Sequence, residues 1–416
     1  MTRAFACATR RVAAPILGTT ALTLALAAAI VACSSTPIAS RPAATVSALA
    51  SAASAALPAI SSPRDDLATA TLDRPRGRWV AASWSELPDW SSDRLADFWP
   101  AFLRSCERPT PAWLETCTKT RLGGPGPAAA DSALRAWLQR QLRPYRVESN
   151  ERDPAGLATG YFEPLIEASR VARPGFRVPL YAPPPDLASR KPYWTRHQIE
   201  TVPAAQRSLR GHEIAWLHDS LDALMLQIQG SGRLAFASER GAGARTVRVA
   251  YAAHNDQPYF SIGRWLIDQG ELRTGEASWP AIRAWARQHP ARVDEMIRSN
   301  PRFVFFREEP LPDPAGGPTG AQGVPLTPGR SIAVDPQSVP YGTPVWLDTT
   351  EPLSTRPLRR LAVAQDTGSA IVGAVRADYF WGWGDDAEAQ AGRMKQPLRM
   401  WVLWPAQGAD DRVGTR

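Results

Sequence analysis

Histidine and cysteine are scarce in this chain, and the patterns that would give them chemistry are missing. Only five histidines occur in 416 residues. His212-Glu213 is followed by His218, whereas a zinc-protease helix needs its second histidine four positions after the first to share a face. No glycine loop leads into a lysine, so the phosphate-cradling signature of nucleotide enzymes is absent. Gly230-Ser231-Gly232 lacks the spacing of a hydrolase nucleophile elbow. No internal repeat is evident. The expectation is therefore a protein that uses neither a metal nor a cofactor.

Clustered charge is lacking too. The formal net charge is +8, and removing the three arginines of the first 32 residues leaves +5. That charge is spread along the chain rather than gathered into a stripe, which argues against nucleic acid as a partner. A mildly basic surface suits an anionic polymer, and ordinary solubility accounts for it equally well.

What is present begins with the N-terminus. Arg3, Arg10 and Arg11 precede an uncharged apolar run from Val12 to Ala32, the layout of a secretory signal. About 20 apolar residues also suffice for a transmembrane helix. The ending Ile30-Val31-Ala32-Cys33 resembles the lipobox of bacterial lipoproteins, in which Cys33 would carry the lipids. Ser34 after it resembles lipoproteins sorted to the outer membrane. Residues 33–64 are dominated by Ala, Ser, Pro and Thr. Such a segment has little to bury and is expected to be a disordered tether. Of the four cysteines, Cys7 leaves with the signal and Cys33 would carry the lipids, so Cys106 and Cys117 remain. In an oxidising compartment this even pair is expected to form a disulfide, two buried thiols being the alternative.

Apolar spacing divides the rest. From Trp79 to about Tyr145 the pattern is helical, as in Arg94-Leu-Ala-Asp-Phe-Trp and Ala133-Leu-Arg-Ala-Trp-Leu. Ala158-Thr-Gly-Tyr-Phe-Glu-Pro reads as a strand closed by a turn. Alternation at Leu224, Leu226 and Ile228, and again at Val247, Val249 and Tyr251, predicts half-buried strands. Helices are expected from Trp279 to Gln288 and from Pro290 to Arg298. Short strands separated by turns then follow Asn300-Pro301, at Phe303-Val-Phe-Phe, Ile332-Ala-Val, Pro344-Val-Trp-Leu, Leu361-Ala-Val-Ala and Met400-Trp-Val-Leu-Trp. They predict a small barrel.

The chemistry-bearing feature is carboxylate set among glycine and aromatic residues. Asp366 follows an apolar strand in Ala364-Gln-Asp-Thr-Gly-Ser-Ala-Ile, where glycine lets a ligand approach closely. A turn aspartate is the plain alternative. Asp378 lies in Arg376-Ala-Asp-Tyr-Phe-Trp-Gly-Trp-Gly. Those aromatics are either a sugar-stacking surface or barrel core.

Gly323-Val-Pro-Leu-Thr-Pro-Gly-Arg-Ser-Ile-Ala-Val-Asp-Pro, Val339-Pro-Tyr-Gly-Thr-Pro-Val-Trp-Leu and the Asp366 and Asp378 segments together resemble the three-aspartate domain. Its acids would be Asp335, Asp366 and Asp378. Gly160-Tyr-Phe-Glu-Pro, Ile228-Gln-Gly-Ser-Gly-Arg-Leu, Pro258-Tyr-Phe-Ser-Ile-Gly-Arg-Trp-Leu and Asn300-Pro-Arg-Phe-Val-Phe-Phe resemble the membrane-bound lytic transglycosylase A family. The motifs run in family order from about 155 to 404. Asp256 stands where the family pattern has glycine, and Arg302 where it has a small residue; both are expected to affect local loops only.

The resemblance implies a mainly β protein with some helix. Residues 65–167 and 301–408 would form the two parts of a double-psi β-barrel, and 168–300 an inserted β domain, with a groove between them for a glycan strand of peptidoglycan. Asp366 would be the acid and base of a lytic transglycosylase, with Asp378 and Asp335 as further catalytic residues. Asp335, in Val-Asp-Pro, has a structural turn as its equal alternative. Tyr161, Glu163, Gln229, Ser231, Arg233, Tyr259 and Ser261 would bind substrate. A non-catalytic wall-binding lipoprotein and a two-carboxylate muramidase are the rival readings.

Overall fold

The structure, a computed structural model, describes residues 70–236, 245–311 and 313–406. The signal segment 1–32, the lipidation residue Cys33 and the tether 33–64 lie outside the described residues. No helix among those described is long and apolar enough to cross a membrane.

The chain opens with the hairpin β1 (Thr71–Arg74) and β2 (Gly77–Ala81). Three helices follow: α1 (Leu95–Ser105), α2 (Leu114–Gly123) and α3 (Asp131–Gln141). Leu95, Phe98, Trp99 and Phe102 recur at helical spacing and are all buried, so α1 has one apolar face toward the core. Burying each such side chain contributes roughly 1.5–3 kcal/mol. Cys106, just past α1, and Cys117, in α2, are joined in a disulfide. The helical expectation thus holds from Leu95 to Gln141, while Trp79 lies in β2 and Tyr145 in β3 (Leu142–Glu148).

Next come β4 (Gly156–Glu163) and, immediately after Pro164, β5 (Leu165–Ser169). These two strands belong to different sheets. The second sheet contains β5, β6 (Val178–Tyr181), β7 (Glu213–Leu217), β8 (Ser231–Phe236), β9 (Arg245–His254) and β10 (Val304–Glu309) in the order β10-β9-β8-β5-β7-β6. Helices α4 (Arg196–Thr201) and α5 (Pro203–Leu209) precede β7, and α6 (Ser220–Gln229) precedes β8. Three more, α7 (Ile262–Asp268), α8 (Trp279–Gln288) and α9 (Val293–Arg298), separate β9 from β10. They pack with α6 in one apolar cluster around Leu224, Leu266, Trp285 and Met296.

Two expectations are corrected here. Leu224, Leu226 and Ile228 lie in α6, not in a strand. The Asp219 side chain caps its first turn by accepting the N–H of Leu221, and Gly230, at φ 78°, closes its end in the left-handed conformation that glycine adopts freely. Leu221, Leu224 and Met225 form the helical triplet that two-residue alternation concealed. Phe303-Val-Phe-Phe runs into β10, which pairs with β9 rather than joining the barrel. The crossover out of the barrel falls at Pro164, and the return follows Glu309.

The returning chain supplies β11 (Ser331–Val334), β12 (Pro344–Thr350), β13 (Pro357–Asp366), β14 (Arg376–Trp383), α10 (Asp385–Ala391) and β15 (Lys395–Pro405). β4 pairs with β14 on one side and β15 on the other, so β4, β15, β12, β13, β11 and β14 close into a ring. Closure leaves those six strands no open edge. This is the double-psi β-barrel, with β3, β2 and β1 continuing outward from β15.

A buried clamp fastens the crossover to the return. The Glu163 carboxylate, 0% exposed, accepts from Arg233 Nε at 2.7 Å and Arg248 Nε at 2.5 Å. Both guanidinium groups also donate to the Gly316 carbonyl, at 3.0 and 2.6 Å, and Arg233 to that of Pro314 at 2.6 Å. One barrel strand, two strands of the second sheet and the return segment meet there. A buried charge left unpaired is costly, so the clamp holds only as a complete set.

Candidate active site

Strand register builds the site. Ala333 of β11 pairs with Asp366 of β13 on one side and Asp378 of β14 on the other, and Asp378 pairs with Thr159 of β4. Residues opposite one another in a ladder point to the same face, so Asp366, Asp378 and Thr159 rise together over the small Ala333. Tyr161, two residues along β4 from Thr159, shares that face.

Two neighbouring segments hold Asp366 in place. Gln365, fully buried, donates to the Ala101 carbonyl at 3.0 Å and Ser105 Oγ at 2.7 Å, and accepts from Ser331 Oγ at 2.5 Å. This ties the end of β13 to α1. Gly320 lies so close to β13 that a Cβ there would meet the Gln365 carbonyl at 2.5 Å. That approach lets the Ala321 N–H reach Asp366 Oδ1 at 3.0 Å. The Tyr161 hydroxyl donates to Oδ2, also at 3.0 Å.

Asp366 has no ion-pair partner among the described residues. Burial pushes its pKa up to about 6; hydrogen bonds from Thr367, Ala321 and Tyr161 oppose the rise, and the charge of Asp378 adds to it. Asp378 is also raised by burial, against a hydrogen bond from Thr159 and the charge of Arg376. Two strand spacings separate the two aspartates, about 10 Å between Cα atoms. Asp378 thus acts on Asp366 through its charge. The Tyr161 phenol is held well above its ordinary pKa, by burial first and then by both carboxylates, so it stays protonated.

Asp366, Asp378 and Tyr161 lie on a groove of about 660 Å³. One wall comes from the barrel, including Gly320, Ala321, Leu326 and Ile371; the other comes from the second sheet and its loops, including Gln229, Ser231, Tyr251 and Tyr259. The Gln229 carboxamide oxygen accepts the N–H of Phe162 at 3.1 Å, which straps α6 to β4 beside Tyr161.

Four of the expected site residues do not reach the groove. Glu163 and Arg233 are spent on the buried clamp. Ser261 is the N-cap of α7, accepting the N–H of Arg264. Asp335 organises a turn: Oδ1 accepts from Gln337 at 3.0 Å and Oδ2 from Gly373 at 2.9 Å, with Arg76 Nε 3.6 Å away. Of the aromatics after Asp378, Tyr379 and Phe380 are core, at 1% and 0% exposure, Trp381 and Trp383 are half-buried, and none of the four lines the groove. The exposed aromatic edge belongs to Tyr251 on the opposite wall, 44% exposed. Sequence reasoning missed Thr159 and Tyr251, although Thr159 stood in the segment read as a strand closed by a turn and Tyr251 in an alternating one. Arg302, noted above only as a local departure, also lines the groove. Among the described residues, no group of three His, Cys, Asp or Glu side chains is placed to hold a metal ion.

Two family models match this architecture: the MltA specific insert domain over residues 157–307, and the 3D domain over residues 330–404. Membrane-bound lytic murein transglycosylase A of Escherichia coli K12 is 32% identical over 294 residues, covering 67% of this chain and 76% of that protein. The chain belongs to the lytic murein transglycosylase A family. Family likeness extends to the solved structures. The lytic transglycosylase LtgG of Burkholderia pseudomallei is 44% identical, with a TM-score of 0.55 over 80% of this chain and 97% of that one. The E. coli family member with bound chitohexaose is 26% identical, with a TM-score of 0.63 over 81% and 94%.

Proposed function

We propose that this lytic transglycosylase cleaves the β-1,4 bond between N-acetylmuramic acid and N-acetylglucosamine in peptidoglycan, with Asp366 as its single acid and base. The observation that carries the assignment is a groove-floor carboxyl pushed up to about 6 with no cation beside it. An aspartate at its reference pKa of about 3.9 would hold too little proton near neutrality to protonate a leaving oxygen. Raised to about 6, the group carries a usable fraction of proton and remains a competent base.

In the first half of the reaction, protonated Asp366 gives its proton to the glycosidic oxygen as the bond to the muramoyl anomeric carbon breaks. In the second, the Asp366 carboxylate takes the proton of the muramoyl 6-hydroxyl as that oxygen attacks the same carbon. The product is a 1,6-anhydro sugar, with no water consumed. Tyr161 and the Ala321 N–H orient the carboxyl, and Asp378 contributes charge. Gln229, Ser231, Tyr251 and Tyr259 would contact the strand. We place the domain boundaries at the crossovers, with the second sheet as the insert.

We also infer lipidation at Cys33 and attachment to the periplasmic face of the outer membrane. The lipobox-like ending supports this, as does the membrane-bound designation of the E. coli relative.

Mass analysis of digested cell-wall sacculi tests the mechanism. Wild type should release anhydro-muropeptides, and Asp366→Asn should lower that release by about 10²- to 10⁴-fold or more, because one group serves both halves. Reducing muramic ends from wild type, or near-normal anhydro products from a folded Asp366→Asn protein, would refute it.

A further inference from the structure

Charge is segregated across the groove. The barrel wall contributes only Asp366 and Asp378, whereas the opposite wall contributes Arg196, Arg302 and Arg307 and no carboxylate. Two of these cations are already engaged. Arg196 is buried and donates to the Asn300 carbonyl at 3.0 Å, the Arg302 carbonyl at 2.6 Å and Gln227 Oε1 at 2.5 Å. Arg307 is ion-paired with Glu309 at 2.6 Å.

Arg302 is not engaged in this way. Its Nε donates to the Gln257 carbonyl at 2.9 Å, and no carboxylate among the described residues lies within ion-pairing distance. Its backbone is pinned: its N–H is held by Asn300 Oδ1 at 3.2 Å and its carbonyl by Arg196. Three groove-lining neighbours feel its charge. After burial, Arg302 is the next cause holding His254 below its ordinary pKa, and it opposes the burial-driven rise of Tyr251 and Tyr259. His254 Nδ1 accepts the Asp256 N–H at 3.0 Å, so a neutral His254 carries its proton on Nε2. A fixed guanidinium left without a counter-charge in a substrate groove is a site awaiting an anion.

We propose that Arg302 recognises a carboxylate of the substrate and makes the groove selective for acid-bearing muramoyl strands over neutral aminosugar polymers. This rests on the reading of the groove as a peptidoglycan site. The sugars of such a strand are otherwise uncharged. The carboxylate has two sources: the lactyl group of muramic acid where the peptide has been removed, or the stem peptide where it remains.

The test measures binding by the full chain carrying Asp366→Asn, which prevents turnover, with and without Arg302→Gln. Three ligands are compared: chitohexaose, amidase-stripped glycan strands with free lactyl groups, and stem-bearing strands. Arg302→Gln should weaken at least one acid-bearing ligand by about tenfold or more, a typical effect for a charged hydrogen bond, and leave chitohexaose within about twofold. Loss confined to stripped strands identifies the lactyl group, and loss confined to stem-bearing strands the peptide. The affected affinity should also fall with salt, and Arg302→Lys should restore part of it. Equal weakening of chitohexaose, or no weakening of either acid-bearing ligand by a variant with unchanged melting, overturns the proposal. Failure of the underlying cleavage mechanism is read separately, as missing anhydro ends in the wild-type digest.

Discussion

Glu163 and Asp366 are carboxylates that the same barrel withdraws from water, and the fold puts them to opposite uses. Glu163, at the end of β4, meets two guanidinium groups. Asp366, at the end of β13, meets a phenol and backbone N–H groups but no cation. Donors from neutral groups stabilise a carboxylate less than opposite charges do, so burial prevails at Asp366 and favours the protonated form. At Glu163 the charges satisfy one another and the backbone carbonyls of the return segment. The arrangement at Asp366 keeps a proton available; the one at Glu163 fixes two sheets.

The sharpest way to break this comparison is to neutralise both acids in turn. Asp366→Asn should abolish most activity while leaving the protein folded. Glu163→Gln should do the reverse damage, costing about 3–5 kcal/mol of stability, because it strands two buried arginines. Urea unfolding checks the second expectation. A Glu163→Gln protein as stable as wild type would mean that the Gly316 and Pro314 carbonyls satisfy the arginines alone.

A smaller effect concerns pH. Asp366 binds a proton more tightly folded than unfolded, so its contribution is most favourable below about 4 and is lost as pH rises through about 6. At pH 7 its ionisation therefore costs stability, by at most about 3 kcal/mol for a rise of two pKa units. Asp366→Asn should accordingly melt higher than wild type at pH 7, and the gap should close toward pH 4. Asp378→Asn removes the charge that adds to the burial-driven rise of Asp366, so the fall of kcat/KM at alkaline pH should begin earlier. A melting difference independent of pH would show that Asp366 is not the titrating group.

Much of the site was legible in the sequence, because its parts lie at strand ends marked by turn residues. Asp366 and Asp378 were singled out from their own segments, and the register brings both to one face with Tyr161. Legibility failed where a residue's role depends on long-range partners. Glu163 and Arg233 stood in glycine- and aromatic-rich motifs, yet their side chains turn inward to pair with each other, and Glu163 takes Arg248, a residue with no local signature, as its second partner. Asp335 shares the three-aspartate motif, but nearby backbone N–H groups consume its oxygens. The same holds for α6, where Leu224, Leu226 and Ile228 fit two periods and only the Asp219 cap and Gly230 decide between them.

The smallest effect is expected at Asp256, the other departure from the family pattern. Its φ of 54° lies in the left-handed region, where glycine rests without strain and aspartate is among the better tolerated alternatives. Replacing it with glycine relieves that strain but enlarges the unfolded ensemble, two terms of roughly 1 kcal/mol with opposite sign. The change also removes contacts to Lys191 at 3.5 Å and His254 at 3.4 Å. Asp256 is 40% exposed at these contacts, so such pairs contribute about 0–1 kcal/mol. Asp256→Gly should therefore change stability by less than about 1 kcal/mol. A consequence at the groove is still expected, because the next residue, Gln257, supplies the carbonyl that holds Arg302 Nε. With Asp256 gone, His254 loses a charge that raises its pKa, and it should titrate lower still. Nuclear magnetic resonance titration of the His254 ring, read beside the melting curve, separates the two outcomes. A lower His254 midpoint with unchanged melting fits a loop whose charge acts on the groove histidine but contributes little to the fold. A loss above about 2 kcal/mol would instead make this loop a second clamp, and the contrast between the paired and unpaired regions would have to be redrawn.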